Sequence, residues 1–206
     1  MPIDTREQLI ETATNAFARD GFATTSLRSI AKEAGVSPAL VVHHFGSREK
    51  LIEECIVRGL GLWVSEKQQF VDVSLSVAIG QWQSSLDKHG PKLQFFRQVL
   101  LAGGDPANIL FSRMVKEARM MIDAQVEKGQ MRKSENPDDL ALLMTLHGLA
   151  PLIMQEQVNS HLGGNFMEPG LGARLAGANL EIYRKGIYKT SEPGSGKKKK
   201  KKAGKK

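Results

Sequence analysis

The chain has 206 residues and a formal net charge of +7, from 29 Lys and Arg against 22 Asp and Glu. Eight of those lysines lie between Lys197 and Lys206, which leaves 21 basic against 22 acidic residues, so the body is close to neutral and is not a polycation that grips nucleic acid by charge alone. The single Cys55 excludes an internal disulfide and points to a reducing, cytoplasmic setting, where a buried small apolar role suits it best.

In chain order, residues 4 to 20 read as an amphipathic helix with Leu9, Ile10, Ala13, Ala16 and Phe17 on one face, closed by Asp20-Gly21-Phe22. That charged start carries no secretory leader. A short helix follows. Thr25 is placed to cap it, and Leu27, Ile30, Ala31 and Ala34 recur at three and four residues. Gly35 ends it, because glycine takes the left-handed conformation at low cost, and Val36 supplies an apolar plug. Ser37 restarts the chain as an N-cap with Pro38 at the first helical position, and Val41, Val42 and Phe45 resume the apolar spacing. Two short helices on a Gly hinge form a helix-turn-helix, whose second helix is held at a fixed angle for the major groove. Gly46 breaks that helix, and Ser47-Arg48-Glu49-Lys50 caps the next one before Leu51 and Ile52.

The order Phe17, Arg19-Asp20-Gly21-Phe22, Thr24-Thr25, Ile30-Ala31, Ala34-Gly35-Val36-Ser37, His44-Phe45, Ser47-Arg48-Glu49 and Leu51 resembles the N-terminal pattern of the tetracycline-repressor (TetR) family. The resemblance implies a three-helix DNA-binding head. On matched positions it assigns Thr25, Ser26 and Arg28 to the start of the first motif helix. It sets Ser37, Pro38, Ala39 and Leu40 facing bases, and His43, His44 and Arg48 on phosphates. Pro38, Ala39 and Leu40 offer chiefly apolar contact, suited to thymine methyl groups. Two positions depart from the pattern: Ala39 replaces the usual Gly, and Val41-Val42 replaces a Leu-Tyr pair whose hydroxyl meets the DNA backbone. His43 is the neighbour placed to take over that contact.

Beyond Ser47 the spacing predicts helices near 47–69, 71–88, 91–103, 107–132, 137–163 and 168–189, with no strand run, so the class is all-α. Asn136 reads as an N-cap with Pro137 at the first helical position and Asp138-Asp139 at the positive helix end. Pro151 should kink the helix that contains it. The last two helices carry more apolar surface than one face needs, including Leu140, Leu143, Met144 and Met154, then Leu180, Ile182 and Tyr183. In the family the corresponding pair forms a four-helix dimer interface, which favours a homodimer.

The resemblance also implies an effector cavity in the helical domain. Trp63, Trp82, Phe96, Phe111, Met114, Met121, Met144 and His147 lie on the helices that line it in the family, with Phe70 and Phe95 beside them. Few charges fall on those faces, so the effector is expected to be mainly apolar, with His147 either its polar partner or a core histidine satisfied within the protein. Catalytic signals are poor. There is no His-Glu-x-x-His, no Gly-x-Ser-x-Gly and no paired cysteines at metal spacing, and the adjacent His43-His44 make a poor chelating pair. No enzyme activity, metal or cofactor is implied, and no stretch is long and apolar enough for a membrane span.

The sequence thus divides into a DNA-binding head at 1–52, a helical effector-binding and dimerisation domain at 53–190, and a Lys-rich tail at 191–206 too polar to order itself. The expected function is a DNA-binding regulator, a repressor that binds a palindromic operator as a dimer and is released by a small effector. The alternative is an architectural DNA-binding protein whose Lys tail carries the affinity.

Overall fold

The computed structural model describes residues 4–68 and 90–185; the expected helix at 71–88, with Phe70 and Trp82, and the Lys-rich tail lie outside the described residues. The described residues contain nine helices and no strand: α1 Thr5–Asp20, α2 Leu27–Glu33, α3 Pro38–Phe45, α4 Arg48–Gln68, α5 at 90–102, α6 Gly104–Glu127, α7 Pro137–Ile153, α8 Gln155–Leu162 and α9 Pro169–Lys185.

Local chemistry starts the head helices where the sequence asks. The Asp4 carboxylate accepts from the Arg6 N–H at 3.0 Å, and Ser37 Oγ accepts from the Leu40 N–H at 3.2 Å beneath Pro38. Gly35 has φ +72° and turns the chain between α2 and α3. The cap of α2 differs from expectation. It is Ser26, whose Oγ accepts from the Ser29 N–H at 3.1 Å while Ser29 Oγ accepts from the Ser26 N–H at 2.9 Å.

The apolar faces meet in one continuous core. Leu9, Ala13 and Phe17 of α1, Ile30 and Ala31 of α2, Val41 and Phe45 of α3, and Leu51, Cys55 and Ile56 of α4 are buried together. The same cluster runs on through Phe95, Phe96 and Val99 of α5, Leu110 and Met114 of α6, and Leu149 and Leu152 of α7. α4 packs on α1 and on α6, so it belongs to the head and to the helical body at once. At Gly59 it also meets α5, where a Cβ would stand 2.9 Å from Phe96 Cζ. Cys55 is fully buried, and burial pushes its thiol up to about 12.

Three long-range features depart from the periodicity. The single helix expected over 137–163 is broken at Met154 (φ −93°, ψ +30°) into α7 and α8, three residues after Pro151, which cannot donate to the carbonyl one turn back. α6 begins at Gly104 and ends at Glu127, and Gly129 (φ +69°) turns the chain where helix was expected to 132. Asn136 stands at the N-cap position of α7, yet its side chain makes no cap bond; Asp138, in the first turn, pairs instead with Arg119 of α6.

Candidate nucleic-acid interface

α3 presents two outward rows. Pro38, Ala39, Val42 and His43 are exposed at four-residue spacing, while Val41 and Phe45 point into the core at 0% and 5% exposure. Leu40 and His44, one turn apart, are half-buried along the edge of that row, with the His43 and His44 rings 5.8 Å apart. Ser37 is exposed at the helix start. The N-terminus of α3 thus stands clear on a packed base, as a reading helix requires. Val42, which the spacing grouped with Val41 and Phe45 as apolar, is instead 48% exposed in the middle of this row. Its spacing from Pro38 was the available signal.

α2 contributes Ser26, Arg28, Ser29 and Lys32, all exposed, and Lys50 of α4 is exposed beside Gly46. Helices α2 and α3 start at the exposed caps Ser26 and Ser37, and a helix N-terminus is a position that favours phosphate.

Two assigned residues point the other way. Thr25 is 5% exposed, and its hydroxyl donates to Gly21 O at 2.7 Å; it ties the loop before α2 to the end of α1 rather than facing DNA. Arg48 also turns inward. Its Nε donates to Thr25 O at 3.1 Å, a terminal nitrogen donates to Phe22 O, and its guanidinium lies over the Phe17 and Phe22 rings at 5.3 and 5.6 Å. Those donors bond the protein's own carbonyls, so in the free chain Arg48, expected on phosphate, ties α4 to the loop that leads into α2. On the opposite side Arg19 pairs with Asp20 and with Glu33 of α2 at 2.8 and 2.9 Å, which keeps Asp20 ionised below its ordinary range.

The head also rests on α5. Phe17 and Phe22 stack at 4.6 Å, and Phe95 of α5 approaches them at 6.2 and 6.1 Å. Among the residues assigned to an effector cavity, Phe96 (1% exposed) and Met114 (6%) are in the core, Phe111, Met121 and Met144 are half-buried, and the Trp63 side chain lies outside the described set. His147, the last of them, is half-buried on α7. Its Nδ1 is 2.8 Å from Tyr183 Oη of α9, a bond between α7 and α9 that gives the ring a partner within the protein. Around this bond α7 exposes Leu142, Leu143 and Leu146, the last three and four residues from the others, and α9 exposes Ile182 and Tyr183. An open depression on α8 is lined by polar residues, Glu156, Gln157, Ser160 and His161. Among the described residues no three His, Cys, Asp or Glu converge as a metal site, and no helix is long and apolar enough to cross a membrane.

Comparison with known proteins places this geometry. A family model described as bacterial regulatory proteins, tetR family, matches residues 9–55, and one described as the tetracyclin repressor-like C-terminal domain matches residues 87–189. The HTH-type transcriptional regulatory protein RaaS of Mycobacterium tuberculosis is 28% identical over 151 residues, 73% of this chain and 71% of that protein. FadR of Bacillus subtilis, solved with stearoyl-CoA, shares the fold at a TM-score of 0.67 and 13% identity, over 88% of this chain and 99% of that one. FadR of Thermus thermophilus, solved with lauroyl-CoA, does so at 0.60 and 15% identity, over 93% and 99%. With an exposed helix-turn-helix on a helical body, and family models that match both parts, the chain belongs to the TetR family of transcriptional regulators.

Proposed function

We propose that the chain is a homodimeric repressor that binds a palindromic operator through residues 1–52 and is released by an effector with a long apolar body held in residues 53–190. The observation that carries the reading is the outward row Pro38, Ala39, Val42 and His43 on a buried base formed by Val41 and Phe45. Apolar groups in that row suit thymine methyls, and Ser26, Arg28, Lys32, Ser37, His43, His44 and Lys50 surround it as phosphate contacts. The exposure of Leu142, Leu143, Leu146, Ile182 and Tyr183 supports pairing of two copies, which sets two reading helices for half-sites about 34 to 36 Å apart. The two FadR proteins of the same fold were solved with acyl-CoA ligands, which supports an effector with an acyl-like body near Phe96, Phe111, Met114, Met121 and Met144. Release needs only that the effector favour a conformer whose reading helices no longer fit adjacent grooves.

Selection of bound sequences from random DNA by the full chain tests this. An inverted repeat with half-sites one helical turn apart is the expected result, and the absence of any enriched sequence overturns it.

A further inference from the structure

Arg97 of α5 is a cation of the helical body with one buried donor left open. Its side chain is 16% exposed, and its Nε is buried with no hydrogen-bond partner. Among the described residues the carboxylate paired with it is Glu156 of α8, which stands 3.6 Å from Nη2, beyond hydrogen-bond reach, with its own side chain 82% exposed to competing water. A largely desolvated guanidinium with an idle donor is costly, and an acceptor that fills it recovers that cost. Nε and Nη2 form the edge of a guanidinium that takes two oxygens side by side. Glu156 approaches one end of that edge without filling it, and a small swing of its solvated side chain leaves the edge to a better placed oxyanion. Gln94, one turn earlier, donates to Gln155 Oε1 at 2.9 Å, a neutral polar pair between the same two helices.

We propose that Arg97 anchors an oxyanion, a carboxylate or a phosphate ester, at one end of the effector. The inference rests on the effector reading of the helical body and amends the expectation of a mainly apolar ligand: the body is greasy and the head is charged. The position suits control of the head. Phe95, two residues away, packs on Phe17 and Phe22, so an anion that draws Arg97 from Glu156 acts on the helix that supports the head.

The test is calorimetric titration of the full chain with dodecanoate, dodecyl phosphate and dodecanol, below their micelle concentrations. Wild type should bind at least one of the two anions roughly tenfold or more tightly than the alcohol, the gain of a charge-assisted hydrogen bond. Whichever anion is preferred identifies the head. Arg97→Gln should lose that preference and bind all three at the level of the alcohol. Glu156→Gln, on an exposed side chain, should tighten the anions and leave the alcohol unchanged. If Arg97→Gln fails to fold, Glu156→Gln decides. Equal binding of acid and alcohol by wild type, an anion preference that survives Arg97→Gln, or no tightening by Glu156→Gln overturns the anchor and leaves the apolar effector standing. Failure of all three probes to bind wild type overturns both.

Discussion

The guanidinium of Arg48 lies 5.3 Å from the centre of the Phe17 ring, so the first turn of α4 is fastened to the last turn of α1 across the loop that precedes α2. The same side chain donates to Thr25 O at 3.1 Å, immediately before the Ser26 cap. α2 is therefore aimed by a residue that belongs to α4, and a displacement of α4 carries α2 with it.

Arg48→Ala should destabilise the folded chain by about 1 to 3 kcal/mol, from two lost bonds to carbonyls and the lost ring contact. Operator affinity should fall while the slope of log affinity against log salt stays at the wild-type value, because no phosphate contact is removed. Arg28→Ala should instead flatten that slope by about one charge. A flattened slope for Arg48→Ala places its guanidinium on DNA.

Gly59→Ala would normally strengthen a helix by about 1 kcal/mol. Here the new Cβ stands 2.9 Å from Phe96 Cζ, and the ring is buried and cannot turn aside. The net change should be a loss of about 1 to 3 kcal/mol in urea unfolding. Gly61→Ala, which meets nothing within 4 Å, provides the comparison and should be neutral or stabilising.

Cys55 should resist thiol reagents in the folded protein at pH 7 to 8, because burial raises its thiol to about 12 and the thiolate is the reactive form. The folded chain holds this proton more tightly than the unfolded chain. Its contribution is therefore full below the ordinary thiol value of 9.0 and is lost as pH rises from there toward about 12. Cys55→Ala should show a shallower loss of stability over that window, measured by unfolding at a series of alkaline pH values. Rapid labelling of native protein at the rate of denatured protein contradicts the burial argument.

Leu143, 62% exposed on α7, tests the pairing of two copies. Leu143→Glu costs a monomer little, but it sets a charge into an apolar interface if α7 and α9 pair, and should shift sedimentation toward monomer at micromolar concentration. His147→Leu removes the bond to Tyr183 and should weaken assembly more mildly. Unchanged sedimentation of Leu143→Glu removes this face from the interface.

Elements set by nearest neighbours were legible in the sequence. Ser37 caps α3 with Pro38 next, Gly35 turns at positive φ, and Val41 and Phe45 face the core, each from interactions within one helical turn. The outward row on α3 follows from the same periodicity except at Val42, whose apolar side chain reads with Val41 and Phe45 but stands exposed one residue off their face. The break between α7 and α8 at Met154 was only half legible, since Pro151 announces a disturbance but not its place.

What the sequence determined by itself is the class of fold, the helix-turn-helix and its reading face, because caps, glycine turns and apolar spacing act over three or four residues. What only the tertiary structure decided is the direction of the polar side chains that reach farther. Arg48 bonds carbonyls 23 and 26 residues away, Thr25 reaches back to α1, His147 meets Tyr183 36 residues on, and Arg97 ends beside Glu156 without a full partner. A long side chain's partner is fixed by which helices the core brings together, and no local pattern encodes that.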